Sequence, residues 1–122
     1  MTGDETFPKK VRLLRGADFE RVFGTKVFAA DGVLVISADK SPIECTRLGL
    51  SVSRKVGNAV VRNRWKRLIR EAFRRQKSEL PPGLDLVARP RAGAKDDFKA
   101  VFKSLMNLAK RVARTLNQDK RR

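Results

Sequence analysis

The sequence predicts a single α+β domain, and three observations carry that reading. Residues 47 to 56 and 83 to 90 alternate apolar with small or polar residues at the period of a β-strand. Residues 59 to 79 and 95 to 116 instead repeat apolar residues at helical spacing. The 122 residues are enough for one packed core and too few for two, so positions 1 to 122 are assigned to one domain.

Taken in order, residues 17 to 24, ADFERVFG, read as a short helix stopped by Gly24, with Phe19 and Phe23 four apart on one face. Spacing alone leaves two readings open: both rings pack inward, or they form an aromatic surface. VFAADGVLVISAD, residues 27 to 39, is rich in β-branched residues, is closed by the turn-like DKSPIE, and reads as one strand. In RLGLSVSRKV, Leu48, Leu50 and Val52 share one face, while Gly49, Ser51, Ser53 and Lys55 share the other. That small, polar face is either solvated or open to close approach by another backbone.

The central helix follows Gly57, with Asn58 as its N-cap and Val61, Trp65, Leu68, Ile69, Ala72 and Phe73 as its buried stripe, and it ends before Pro81 and Pro82. GLDLVARP is a third strand terminated by Pro90. The last helix opens with Asp96 and Asp97, where the macrodipole favours acids, and buries Phe98, Val101, Phe102, Leu105, Leu108, Ala109 and Val112. Residues 1 to 10 and 117 to 122 are expected to be flexible tails.

Charge narrows the partners. Against 13 Asp and Glu stand 29 Lys and Arg, a formal net charge of +16 that suits a polyanion, with nucleic acid the first candidate and an anionic membrane the second. At 41% hydrophobic residues the chain is too apolar for a disordered basic tail, so the charge decorates a folded body. The sequence has no His and a single Cys, Cys45, which argues against intrachain disulfides, zinc sites and His-based proton transfer. Cys45 is read as a core or loop residue without a role. With no apolar run of signal-peptide length and none near the roughly 18 residues that cross a bilayer, a soluble cytoplasmic protein is expected.

The charge is also local. From Arg47 to Lys77 there are eleven basic residues and one acid, Glu71, and arginine outnumbers lysine eight to three. Arg62 and Arg64 sit in the first turns of the central helix, where a macrodipole disfavours cations. Solvated helix faces usually mix both signs at i, i+4 spacing. A helix N-terminus ringed by Arg54, Lys55, Arg62 and Arg64 suits phosphate, which the guanidinium fork binds in bidentate fashion.

The segment RLGLSVSRKVGNAVVRNRWKRLIREAFR closely resembles the signature of the bacterial ribonuclease P protein subunit, centred on Arg62, Asn63 and Arg64, and the likeness extends through ADFERVF and LVARP. The resemblance implies a two-layer α/β sandwich, with a mixed sheet, about three helices and a left-handed βαβ crossover where general rules would give a right-handed one. It implies a protein without catalytic residues of its own that partners a catalytic RNA and precursor tRNA, assisting removal of the 5′ leader. No cofactor is then bound by the protein alone, and Mg²⁺ is held mainly by RNA.

By the same resemblance Arg54, Arg62, Asn63, Arg64, Lys66, Arg67 and Arg70 face the RNA subunit. Phe19, Phe23, Leu34, Ile36, Ser53, Lys55 and Arg89 line a cleft for the single-stranded leader. The alternative is a ribosomal or other structured-RNA-binding protein. A DNA-binding helix-turn-helix is disfavoured because a strand, not a helix, precedes the central helix. Membrane insertion is disfavoured because Trp65 and Phe73 belong to the stripe the core requires.

Overall fold

The computed structural model describes residues 9 to 119. Its elements are α1 (Gly16–Gly24), β1 (Phe28–Ala30), β2 (Leu34–Lys40), β3 (Arg47–Leu50), α2 (Ala59–Gln76), β4 (Leu84–Pro90) and α3 (Phe98–Asp119), with short 3-10 turns at Lys9–Val11 and Arg54–Val56. The fold is α+β. The four strands lie in the order β1-β2-β4-β3, with β1/β2 and β2/β4 antiparallel and β3/β4 parallel, so β3, α2 and β4 form a crossover between neighbouring strands.

The main core lies between the sheet and the pair α2/α3. Leu34, Ile36, Leu48 and Leu86 from the strands meet Trp65, Ile69 and Phe73 of α2 and Val101, Leu105 and Leu108 of α3. Trp65 and Phe73 are fully buried, and truncating either to Ala would cost about 3 to 5 kcal/mol. Cys45 packs against this core from the loop before β3. On the opposite face of the sheet Leu13, Val22 and Val87 form a second, smaller cluster with Phe19 against it, which seats α1. Because β4 is covered on both faces, it is buried along almost its whole length.

Four boundaries differ from the sequence reading, each for a local reason. The stretch 27 to 39 is a hairpin of two strands. Asp31 accepts hydrogen bonds from the N–H groups of Val33 (2.8 Å) and Leu34 (3.0 Å), closing a turn at Asp31–Gly32. The strand expected to run to residue 56 stops at Leu50. Ser53 Oγ there accepts the Lys55 N–H and starts a 3-10 turn, and the neighbouring strand ends at Pro90, which has no N–H to offer. Asn58 caps α2 as expected, accepting the Val61 N–H at 3.0 Å. The helix then ends at Gln76, whose carbonyl accepts the N–H groups of Glu79 and Leu80. The last helix begins three residues later than expected, because Asp97 caps it, accepting the Ala100 N–H at 3.0 Å through its side chain and the Val101 N–H at 3.0 Å through its carbonyl.

Of the expected tails, Lys9 and Lys10 form the first 3-10 turn and residues 117 to 119 continue α3, while the remaining positions lie outside the described residues. Arg12 bridges Leu48 and the Leu13 N–H donates to the Leu48 carbonyl at 2.9 Å, so this N-terminal segment covers the edge of β3.

Candidate RNA-binding site

The first group of basic residues is set by α2. Its N-terminus follows Gly57, which has a φ of 156° and whose added Cβ would meet Val61 Cβ at 2.8 Å, so glycine alone lets the chain turn from the 3-10 segment into the helix there. Arg54 and Lys55 are exposed on that segment, just ahead of the helix. At i, i+4, i+8 spacing Arg62, Lys66 and Arg70 form one row, with Asn63 and Arg67 exposed beside it.

Ion pairing separates these cations into two sets. Glu71 engages Arg74 and Arg75, and Arg64 pairs with Asp96 across to the α3 side at 2.9 Å. Asp96 and Glu71 are both held below the ordinary carboxylate range, chiefly by these arginines. The acids absent from the local sequence of α2 are thus partly supplied from elsewhere. Arg62, Lys66, Arg67 and Arg70 make no ion pair among the described residues, and Arg62 Nε is buried without a hydrogen-bond partner there. An unsatisfied buried donor beside unpaired cations is a site that an anion stabilises.

Arg47 leaves the basic surface. Its guanidinium grips the fully buried Asp85 through two hydrogen bonds of 2.7 and 2.6 Å, and Arg21 of α1 reaches the same carboxylate as well as Asp39 (2.6 Å) and Asp18 (3.3 Å). Both arginines are pushed to higher pKa, mainly by the bond to Asp85 against the opposing effect of burial. This network fastens α1 to the sheet.

The second group surrounds α1. Phe19 and Phe23 lie 6.5 Å apart, the first half-buried and the second 39% exposed, and the Arg89 guanidinium sits 5.2 Å over the Phe23 ring. The small residue opposite them has a specific use: a Cβ on Gly49 would stand 2.7 Å from Phe19 Cζ and 3.0 Å from Leu13 Cβ. The approach anticipated for that strand face is therefore made by an aromatic ring and by the N-terminal segment.

Leu34 and Ile36 do not belong to this surface. Both are 0% exposed in the main core. Strand side chains alternate, so the neighbours Val35 and Ser37 face the α1 side, where Arg89 Nη2 lies 3.5 Å from Ser37 Oγ. Ser53 is exposed but spends its hydroxyl on capping the 3-10 turn, next to the exposed Lys55. Sequence reasoning missed Phe28, which is 61% exposed on the same sheet face, paired with Ser37. Its signal was available: Phe28 alternates out of phase with the buried Val27 and Ala29.

A basic α+β body with a row of cations on one helix that are unpaired among the described residues, and a tilted aromatic pair beside a sheet, defines an RNA-binding class of protein. Residues 7–113 match the family model Ribonuclease P, and the chain belongs to the ribonuclease P protein family. The ribonuclease P protein component of Brevibacillus brevis is 45% identical over 103 residues, covering 83% of this chain and 82% of that protein. That of Clostridioides difficile is 41% identical over 108 residues, covering 87% and 95%. The structure of the Staphylococcus aureus ribonuclease P protein superposes with a TM-score of 0.73 at 36% identity, over 82% of this chain and 93% of that one. The Thermotoga maritima protein gives 0.73 and 36%, over 82% and 96%. Membership makes this chain a component of an endoribonuclease complex active in tRNA processing, with the ribonuclease P RNA as its partner. No helix among the described residues is long and apolar enough to cross a membrane.

Proposed function

We propose that this protein binds the catalytic RNA through α2 and the 5′ leader of precursor tRNA beside α1, and that the pair removes the leader to give the mature 5′ end. The observation that carries the reading is the division of the cations. Arg21, Arg47, Arg64, Arg74 and Arg75 are matched with acids, whereas Arg62, Lys66, Arg67 and Arg70 stand together on α2 without an acidic partner among the described residues. Phosphates of the RNA subunit complete that row, joined by Arg54 and Asn63 at its edge, and Arg64 exchanges Asp96 for a phosphate on binding.

Beside α1, Phe23, Phe19 and Arg89, with Lys55 at the basic rim, hold unpaired leader nucleotides by stacking and charge. Mature tRNA has no leader and loses these contacts, so the protein favours substrate over product. The protein supplies no reacting group. Its acidic cluster of Asp18, Asp39 and Asp85 is engaged by Arg21 and Arg47, which leaves Mg²⁺ no fitting site there, and the ion that supports hydrolysis is held mainly by RNA. Neutralising RNA phosphates lowers the Mg²⁺ concentration the assembled enzyme needs.

The test is cleavage of precursor tRNA by the ribonuclease P RNA at low Mg²⁺, with the protein, without it, and with an Arg62→Ala, Arg64→Ala variant. The proposal expects rescue by the wild type, and by the variant only at higher protein concentration. Equal cleavage with and without protein contradicts it.

A further inference from the structure

Between the N-terminal segment, β3 and α2 lies a hollow of 260 Å³ that joins the two surfaces described above. Its apolar wall comes from Leu14, Leu50 and the ring of Phe19, and its rim carries Arg12, Lys66 and Arg70. Leu14 is 63% exposed, although Val11 and Leu13 just before it in the same segment are buried. A single exposed leucine would mean nothing, but Leu14 is continuous with the half-buried Leu50 and Phe19, and a contiguous apolar surface rimmed by three cations marks a contact site. The volume falls just under the roughly 300 Å³ at which pockets for drug-sized ligands begin, so the hollow suits a smaller planar group.

We infer that this hollow receives a single unpaired base of the ribonuclease P RNA, inserted between Leu14 and Phe19, with its flanking phosphates on Lys66, Arg70 and Arg12. Charge complementarity commits the occupant: an apolar slot ringed by cations matches a base on a polyanionic backbone. Its source is the RNA subunit rather than the leader: Phe19 is shared with the leader surface, but two of the three cations belong to the α2 row, and Phe23 and Arg89 lie outside the hollow. The inference rests on the assignment of α2 to the RNA subunit, and it adds Arg12, Leu14 and Leu50 to that interface.

The test compares the affinity of the wild type, Leu14→Ser, Leu14→Met and Arg62→Ala, Arg64→Ala for the ribonuclease P RNA across a salt series, with chemical probing of the RNA's unpaired bases. Leu14 is exposed, so Leu14→Ser keeps the fold. It is expected to bind about tenfold more weakly at every salt concentration, with the slope of log K against log salt unchanged, and to expose one base that the wild type protects. Leu14→Met is expected to restore both. If Leu14→Ser binds like the wild type while the arginine variant is weaker, the hollow is not a base site and the α2 assignment survives. If Leu14→Ser alters only the preference for precursor over mature tRNA, the occupant is the leader and the inference fails. If both variants bind like the wild type, the α2 assignment falls with it.

Discussion

Single residues here divide into those that fix the scaffold and those left over for a ligand. Asp85 is the clearest of the first kind. Fully buried and held by two arginines from different elements, it cannot be removed without leaving Arg47 facing an apolar interior. Asp85→Ala is expected to destabilise the protein by about 3 kcal/mol in urea unfolding. A loss below about 0.5 kcal/mol would show that the network is not what seats α1. Gly49→Ala puts a methyl group against the Phe19 ring and is expected to cost about 1 to 3 kcal/mol, while also weakening selection of precursor over product. Asp96 belongs to the second kind by default. As the surface partner of Arg64 it adds little stability, and Asp96→Asn is expected to raise affinity for the RNA subunit two- to threefold by freeing that guanidinium, checked by direct titration. None of these pairings was legible in the sequence, because Arg47 and Asp85 or Arg64 and Asp96 meet only through tertiary contacts.

At the scale of elements, periodicity located α1, α2, β4 and the N-cap Asn58, since each is specified by residues within a few positions of one another. It failed where two local signals competed. The Asp31–Gly32 pair inside a β-branched run marks a hairpin, and reading the run as one strand passed over it. The same stretch then supplied the wrong face: Leu34 and Ile36 are the core half of an alternating strand, and the family likeness had placed them on the cleft. A strand assigned to the wrong side of its sheet exchanges every contact at once. Helix α1 was legible as an element but not as a surface, because the cation over the Phe23 ring is Arg89, which comes from β4 and is far away in sequence. Phe23→Ala is accordingly expected to leave stability nearly unchanged and to reduce the affinity ratio of precursor to mature tRNA about tenfold, and an unchanged ratio would remove α1 from the leader site.

For the whole molecule, the absence of histidine sets the response to pH. No side chain of ordinary pKa titrates between about pH 5 and 8, so stability is expected to be flat there. Below that range the carboxylates act. Burial opposes the charged form of Asp31, but hydrogen bonds from Leu34, Ser104 and Val33 outweigh it and lower its pKa, and Arg74 and Arg75 lower that of Glu71. A depressed folded-state pKa means stability that is complete above the unfolded value near 4 and is lost as pH falls through the folded one, so melting temperature should decline only below about pH 4. The net charge of +16 sets the response to salt, and its uneven distribution gives the central claim its most direct test. That test is the slope of log K against log salt for binding to the ribonuclease P RNA, measured for the wild type and for Lys66→Ala, Arg67→Ala and Arg70→Ala singly. If the unpaired row on α2 meets phosphates, each substitution lowers the slope by about one and weakens binding regardless of RNA sequence. Slopes unchanged in all three, with affinity intact, would mean that the RNA subunit binds a different face.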